Sequence, residues 1–304
     1  MSHNSPRAVG AVLASTVLLG SGPVAVRLAN LGADDIVVLR LLLALPITCI
    51  ALVLAPCRVD LRTLLRCAPG ALLFALHLVL FFAAVRATGV ADVTFVQAMQ
   101  PVLVLAVAGR LFGESMTRTS VVLAFGGTTG VALVVFGSVT TGVANLTGEL
   151  LAVANLVAWT AYFLVSKRTR TGVSALRYQT SVNLIGGVLA IPFFVLLRVD
   201  VTAASAKDWL VVAHVTLGAG IVGQLLLNWA HPFLRVTTSS VLVLCAPVVA
   251  AIGAALLLDQ PITGWSVAGG ALVLLCAAKA SLIALERNRA DSAPVRSTTL
   301  KETT

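Results

Sequence analysis

The sequence predicts an all-α integral membrane protein with ten transmembrane helices, arranged as two inverted five-helix repeats. The first reason is composition, because 59% of the 304 residues are hydrophobic and 11% are charged, whereas about 25% of residues are charged in a soluble globular domain. The second reason is a series of apolar runs of membrane-spanning length, and the third is a residue pattern that recurs after 146 positions. A chain with so few charges cannot cover a water-facing surface, so its solvent must be lipid.

Ten segments are apolar enough to cross a membrane, for which a helix needs about 20 residues. In chain order, the predicted spans are 8–28, 35–55, 67–87, 91–112, 119–137, 149–166, 175–197, 208–230, 238–258 and 264–285. The gaps between them are short and hold turn-forming or charged residues, as in LGADD and SKRTRTGVS, so no separate soluble domain fits. The remaining segment, 286–304, is polar without an apolar stripe, and we expect a disordered cytoplasmic tail there.

The distribution of lysine and arginine predicts the orientation of the spans. If the amino terminus is cytoplasmic, 15 basic residues fall in cytoplasmic segments and 4 in the opposite segments. Cytoplasmic loops carry an excess of Lys and Arg, so we expect a multi-pass protein of the plasma membrane with both termini in the cytoplasm. The excess of basic residues in cytoplasmic loops, next to an anionic lipid surface, explains the formal charge of +9. Because the charge is explained in this way, no nucleic-acid partner is expected.

A stretch in the first half of the chain has a counterpart in the second half. Shifted by 146 positions, QPVLVLAVAGRLFGESMT falls on APVVAAIGAALLLDQPIT, with Pro101 on Pro247, Glu114 on Gln260 and Thr117 on Thr263. The chain is therefore predicted to use a five-span unit twice, in residues 1–137 and 138–285. An odd number of spans forces the second copy to insert upside down, and transporters built from such repeats hold their site near the midplane between them.

At these residues the sequence resembles the EamA repeat of the drug/metabolite transporter superfamily. A proline, about a dozen apolar residues, then LFGESMT or LLDQPIT and a glycine-rich span carry the resemblance in both halves. LLGSGPVAVRLA and VLRLLLALP resemble the first two spans of that family, and GELLAVANLVAWTAYFLVSKR resembles the start of its second repeat. Two departures are Asp259-Gln260, where the family usually has Gly-Glu, and Gly20-Ser21-Gly22, where many members have a tryptophan.

The resemblance covers about residues 8–285 and implies a function as well as a fold. It implies ten helices, both termini in the cytoplasm, and export of small metabolites such as amino acids or other polar organic compounds. We therefore expect a secondary transporter that works by alternating access around a cavity between the repeats. A non-transporting membrane subunit and an intramembrane enzyme are the alternatives.

Polar and aromatic side chains recur at helical spacing in three otherwise apolar spans. Such groups tend to face the interior of a bundle, so we expect them to line the substrate cavity, with Trp159 closest to the midplane. The predicted substrate-binding residues are Thr94 and Gln97 in span four, Asn155, Trp159 and Tyr162 in span six, and Gln224, Asn228 and His231 in span eight. The alternative is that these side chains only bond neighbouring helices together, at about 0.6 kcal/mol each.

Pro101 and Pro247 are predicted to lie in the middle of matched spans. Proline is tolerated in a membrane helix where neighbours bond the freed carbonyl, so a matched pair would bend both helices around a cavity, or serve packing alone. Three further residues are candidates for proton or anion contacts. Arg40 would bind a carboxylate or extend its charge toward the membrane surface, and His77 and His214 are either proton carriers or ordinary buried polar groups.

The sequence contains no signature of the chemistry that other membrane proteins use. It has no phosphate-binding loop, no HExxH and no GxSxG motif opposite a histidine, so neither ATP coupling nor catalytic residues are expected. Its five cysteines form no CxxC pair or zinc spacing, so no cofactor and no metal are expected. The expected partners are a small-molecule substrate and the lipid bilayer, and a homodimer is compatible with the sequence.

Overall fold

The structure is a computed structural model that describes residues 5–54, 59–87, 93, 96–114, 117–138, 146–199, 201–202, 204–258 and 262–292. Within these residues all regular elements are helical. The ten main helices are α1 (Ser5–Leu28), α2 (Ala33–Leu54), α3 (Leu61–Ala87), α4 (Gln100–Phe112), α5 (Arg118–Ser138), α6 (Leu146–Arg170), α7 (Ala175–Leu196), α8 (Ala206–Ala230), α9 (Val236–Leu257) and α10 (Gly264–Ser292). The predicted fold, a ten-helix membrane protein of two repeats, is confirmed.

Within the described residues, eight helices are long and apolar enough to cross a membrane, and α4 is a shorter apolar helix. The predicted fourth span begins at residue 91, in a stretch of which only 93 and 96–99 are described before α4. The last helix continues beyond the predicted end at residue 285 to Ser292. This part of the expected disordered tail is therefore helical, and 293–304 lie outside the described residues.

Helices of the first repeat pack against helices of the second repeat, in pairs that are related by the repeat symmetry. Helix α3 of the first repeat lies along α6 of the second, and the equivalent pair α8 and α1 also pack together. Equivalent helices meet directly in the pairs α2–α7 and α5–α10. At the α5–α10 crossing, a Cβ on Gly130 would lie 2.8 Å from the carbonyl oxygen of Gly269, so only glycine allows this close approach.

The same hydrogen bonds begin α5 and α10. In α5, the backbone N–H of Ser120 donates to Oγ1 of Thr117 at 3.1 Å, and in α10 the N–H of Ser266 donates to Oγ1 of Thr263 at 3.2 Å. In each case a threonine side chain satisfies one of the backbone donors that a helix start leaves unpaired. The repeat found in the sequence is therefore repeated in local structure.

Candidate functional site

Two matched breaks in the helices lie at the centre of the bundle. Residues 98–99 form a turn before α4, where the N–H of Met99 donates to the carbonyl oxygen of Val96 at 3.1 Å. Helix α9 is broken at Leu244, whose N–H donates to the carbonyl oxygen of Val241 at 3.1 Å. These bonds span three residues, one fewer than in an α-helix. The helical turn is therefore tighter at equivalent positions of the two repeats.

Pro101 and Pro247 each lie in the first turn after one of these breaks. They differ from the expected kinks within continuous helices, because each proline begins a new helical segment. Proline has no N–H to donate and its φ suits a first turn, so it is tolerated there at little cost. Near the first break, Thr128 of α5 donates to the carbonyl oxygen of Ala98 at 2.9 Å, which bonds a carbonyl at the interruption.

Both breaks border one cavity, which we call the central cavity. It has a volume of about 180 Å³ and lies between α1, α2, α3, the segment 97–100, α6, α8 and α9, so both repeats form its walls. Gln97, Ala98 and Gln100 line it from the first break, and Leu244 and Pro247 from the second. The cavity reaches the surface at the end of the bundle that carries Arg27, an exposed residue in its lining. We call this end the Arg27 end.

The walls of the central cavity combine aromatic rings with a few polar groups. Trp159 of α6 lies against His77 of α3, with ring centroids 4.7 Å apart, and both line the cavity together with Phe74. Of the predicted substrate-binding residues, Gln97, Trp159 and Gln224 line this cavity. Apolar walls with a small number of convergent polar groups are typical of sites for small organic ligands.

Two other predicted residues lie one layer behind the wall. Asn155 is fully buried, and its Oδ1 atom lies 2.6 Å from Nδ1 of His77. The hydroxyl of Tyr162 donates to Oε1 of Gln224 at 3.3 Å. Asn155 and Tyr162 therefore contact residues of the cavity wall and orient them, rather than facing the cavity.

A polar network closes the cavity on the side away from the Arg27 end. Nδ2 of Asn228 donates to the hydroxyl of Tyr162 at 3.3 Å and to Oε1 of Gln179 at 2.9 Å. Ser166 donates to Oδ1 of Asn228, and Nε of Arg170 donates to the backbone oxygen of Asn228 at 2.8 Å. Because Asn228 is fully buried at the centre of these bonds, the predicted residue lies in the floor beneath the cavity, and α6, α7 and α8 are joined there.

Two further predicted residues lie away from the central cavity. His231 is buried below the polar network, with its ring 4.7 Å from that of Phe163. His214 is exposed on α8, and its Nε2 lies 2.9 Å from Oγ of Ser21, which also donates to the carbonyl oxygen of Leu18 at 2.8 Å. Neither Ser21 nor His214 lines the cavity, and Thr94 lies outside the described residues.

Arg40 of α2 lines the central cavity beside an unusual stretch of α8. Residues Val215–Gly223 form a π-helix, a wider turn that occurs often at functional sites. A Cβ on Gly220 within it would lie 2.9 Å from the carbonyl oxygen of Val215 and 3.2 Å from both Nε and Nη2 of Arg40. The glycine therefore leaves the space that the guanidinium group occupies. Sequence spacing could not reveal this approach, because it joins two helices far apart in the chain.

A charged cluster fastens the opposite end of the bundle, which we call the Glu114 end. The carboxylate of Glu114, between α4 and α5, pairs with Nζ of Lys167 at 3.2 Å and with Nε of Arg235 at 3.3 Å. It also accepts the N–H of Val236 at 2.7 Å and the hydroxyl of Thr237 at 3.0 Å. These five residues form the Glu114 cluster, which connects α4, α6 and α9.

Burial alone would raise the pKa of the Glu114 carboxyl, but the Lys167 charge and the hydrogen bonds from Val236 and Thr237 outweigh it. The pKa therefore lies below its ordinary value and the group is a carboxylate at neutral pH. In the sequence, Glu114 stands out only as a position that matches Gln260 of the second repeat. Its partners are 53 to 123 residues away in the chain, so no local pattern could have found them. Gln100, by contrast, stands beside Pro101 and was detectable in the sequence.

Comparison with known proteins identifies a family. The model of the EamA-like transporter family matches the chain twice, over residues 6–136 and 146–281. A crystal structure of another protein, with 19% sequence identity, superimposes with a TM-score of 0.76 over 95% of this chain and 99% of that chain, which shows a shared fold. Among curated proteins, none matches the sequence.

Proposed function

Because the chain belongs to the EamA-like transporter family, we propose that it is a secondary transporter that exports small polar organic metabolites through the central cavity. One observation carries the proposal: the two matched helix breaks border the same cavity, with one wall from each repeat. Broken helices at the interface of inverted repeats are typical of secondary transporters, in which they surround the substrate site near the midplane.

The two ends of the bundle support alternating access. The central cavity reaches the surface at the Arg27 end, whereas the polar network around Asn228 and the Glu114 cluster close the other end. The excess of lysine and arginine at the Glu114 end favours the cytoplasmic side for it. In this proposal the described conformation faces outward, and export requires a second conformation in which the polar network and the Glu114 cluster separate.

A filled cavity tests the proposal against a matched control in the same helix. Gly22 of α1 lines the central cavity, and a Cβ there meets only Cβ of Ala219 at 3.7 Å, so Gly22→Leu places a side chain in the cavity. Gly10 of α1 is exposed, and a Cβ there has nothing within 4 Å. Metabolites in medium and cytoplasm are compared between cells that produce the wild type, Gly22→Leu or Gly10→Leu. We expect the wild type and Gly10→Leu to release the same compounds, and Gly22→Leu to release almost none. Equal release by all three proteins would reject the cavity as the pathway.

Thiol labelling tests whether the cavity is open to water. In a variant without the native cysteines, single cysteines replace Gln97, Trp159 or Gln224 of the cavity wall, and Val157 or Val222, which are exposed on the outer surface of α6 and α8. A small, charged, membrane-impermeant reagent should label the first group and leave the lipid-facing second group unlabelled. Equal labelling of both groups would show that the central cavity is not a separate aqueous path.

A further inference from the structure

We infer that the solute in the central cavity is an organic anion, and that its carboxylate binds the guanidinium group of Arg40. The inference rests on the proposed function and specifies the substrate class of the same site. It narrows polar organic metabolites to compounds with a carboxylate on an apolar or aromatic body. Four observations on the cavity carry it.

The first observation is that Arg40 is buried without an anionic partner. Arg40 is 9% exposed, and no carboxylate within the described part of the chain pairs with it. The guanidinium carbon lies over the ring of Phe74, 5.8 Å from its centroid. A charged group at membrane depth is costly and almost always has a partner or faces a substrate path, so a ligand is the partner that this charge lacks.

The second observation is that a glycine in α8 leaves room for the guanidinium group of Arg40. Gly220 allows Arg40 to approach the π-helix closely, because a larger residue there would crowd both the guanidinium group and the carbonyl oxygen of Val215. Arginine holds its donors in a planar fork that matches the two oxygens of a carboxylate, and lysine does not. The arrangement therefore favours a planar anion over a halide ion.

The third observation is the charge of the whole cavity wall. Among the described residues that line it, none is Asp or Glu, whereas Arg27 at the mouth is a second cation. A cleft lined by one sign of charge concentrates ions of the opposite sign. An ammonium group in this cavity would face two cations and no carboxylate, so cationic solutes are excluded as a class.

The fourth observation is an unused donor near the break before α4. Nε2 of Gln100 is buried in the cavity lining and has no hydrogen-bond partner among the described residues. A buried donor without an acceptor is unfavourable by about 1–3 kcal/mol, and a second oxygen on the solute would satisfy it. Trp159 and Phe74, also in the lining, supply the surface for an apolar or aromatic body.

Three probes with one body and different head groups test the inference on the purified full-length protein. They are 3-phenylpropanoate, 3-phenylpropanamide and 3-phenylpropan-1-amine, which carry a negative, a neutral and a positive head at neutral pH. Binding is measured by isothermal titration calorimetry in lipid nanodiscs. We expect the carboxylate to bind about tenfold or more tightly than the other two, the difference that hydrogen bonds to a charged group supply.

Variants assign this preference to Arg40. Arg40→Gln should weaken carboxylate binding about tenfold or more, and Arg40→Lys should weaken it less. Arg62→Gln removes the same charge at an exposed position at the start of α3 and should leave binding unchanged. Gly220→Ala crowds the guanidinium group and also the carbonyl oxygen of Val215, and it should weaken binding as well, which provides a second result if Arg40→Gln fails to fold. Gly223→Ala crowds the carbonyl oxygen of Gly218 in the same π-helix without reaching Arg40. It should leave binding unchanged, which separates an effect on Arg40 from an effect on the π-helix.

Several outcomes would overturn the inference. These are binding of the amide or the amine as tightly as the carboxylate, binding of none of the three, or unchanged carboxylate binding in both Arg40→Gln and Gly220→Ala. The metabolite comparison with Gly22→Leu separates such a result from failure of the proposed function. If Gly22→Leu abolishes release but the carboxylate probe does not bind, the inference of an anionic substrate is rejected and the proposed transport function is retained.

Discussion

The backbone N–H of Val236 donates a 2.7 Å hydrogen bond to Oε1 of Glu114. This bond joins the end of α4 to the start of α9, and these two helices occupy equivalent places in the two repeats. The carboxylate caps α9 with its negative charge at the positive end of the helix. One side chain thus connects the two broken helices that border the central cavity.

Glu114→Gln should destabilise the protein by about 1–3 kcal/mol, because Lys167 and Arg235 lose their anionic partner while partly buried. Thermal unfolding in detergent measures the change as a lower Tm. Glu149→Gln is the control, since Glu149 is an exposed carboxylate in the first turn of α6 and should change stability by less than about 0.5 kcal/mol. Equal effects of the two substitutions would contradict a special role of the Glu114 cluster.

The stability that Glu114 contributes should depend on pH in one direction. Its folded pKa lies below the ordinary value of 4.5 because the Lys167 charge and hydrogen bonds outweigh burial. The contribution is therefore complete above pH 4.5 and is lost as the pH falls through the folded pKa. The Tm of the wild type should approach that of Glu114→Gln below pH 4.5. A constant difference between them from neutral to strongly acidic pH would show that the carboxylate charge does not stabilise the fold.

Pro101→Ala and Pro247→Ala should slow transport without loss of stability. Alanine restores a backbone donor and favours helix, so the two helices can continue through the breaks that border the cavity. Metabolite release should fall while the Tm stays unchanged or rises. Pro192→Ala is the control, because Pro192 is exposed within α7 and outside the cavity lining. If all three variants transport like the wild type, the breaks have no role in transport.

His77 should position the wall of the central cavity rather than carry a proton during transport. Its Nδ1 lies 2.6 Å from Oδ1 of the buried Asn155, and it shares the cavity with the Arg40 cation. Burial and a nearby like charge both disfavour a charged imidazole. Flux into proteoliposomes measured from about pH 5.5 to 7.5 should therefore keep its pH dependence in His77→Gln, as in the control His214→Gln, whose histidine is exposed outside the cavity. Loss of the pH dependence in His77→Gln alone would assign a proton-carrying role to His77.

The orientation is tested by a reporter that is active only outside the cytoplasm. Fused after Gly142, which follows α5 in the sequence and lies outside the described residues, it should be active. Fused after Arg170, at the end of α6, it should be inactive, because the basic residues around it favour the cytoplasmic side. Activity after Arg170 alone would reverse the topology, and the described conformation would then face the cytoplasm.

Long apolar runs made the spans predictable from the sequence. The seventh span was predicted at 175–197 and α7 is Ala175–Leu196. Errors occur where a helix leaves the lipid: α3 begins at Leu61, six residues before the predicted start, because Arg62 and Arg66 continue the helix into water. A hydropathy pattern detects the membrane boundary, and a helix ends where its hydrogen bonds end.

The candidate site was only partly accessible to sequence reasoning. Helical spacing placed Asn155, Trp159 and Tyr162 on one face, but only Trp159 of the three lines the central cavity. A face is broad enough to meet both a cavity and the neighbouring helices, so spacing cannot separate the two. The π-helix Val215–Gly223 adds a further difficulty, because it changes which residues of α8 share a face.

The matching starts of α5 and α10 bear on how the two copies of a duplicated segment can insert into the membrane in opposite directions. The bond from Ser120 to Thr117 and the bond from Ser266 to Thr263 depend only on neighbouring atoms, so they form equally well in either leaflet. The surrounding charges have diverged, since Arg110, Glu114 and Arg118 have Leu256, Gln260 and Gly264 as their counterparts. Insertion machinery reads such charges. After duplication, therefore, the local bonding could be kept in both copies, while the charges had to differ between the copies to hold them in opposite directions.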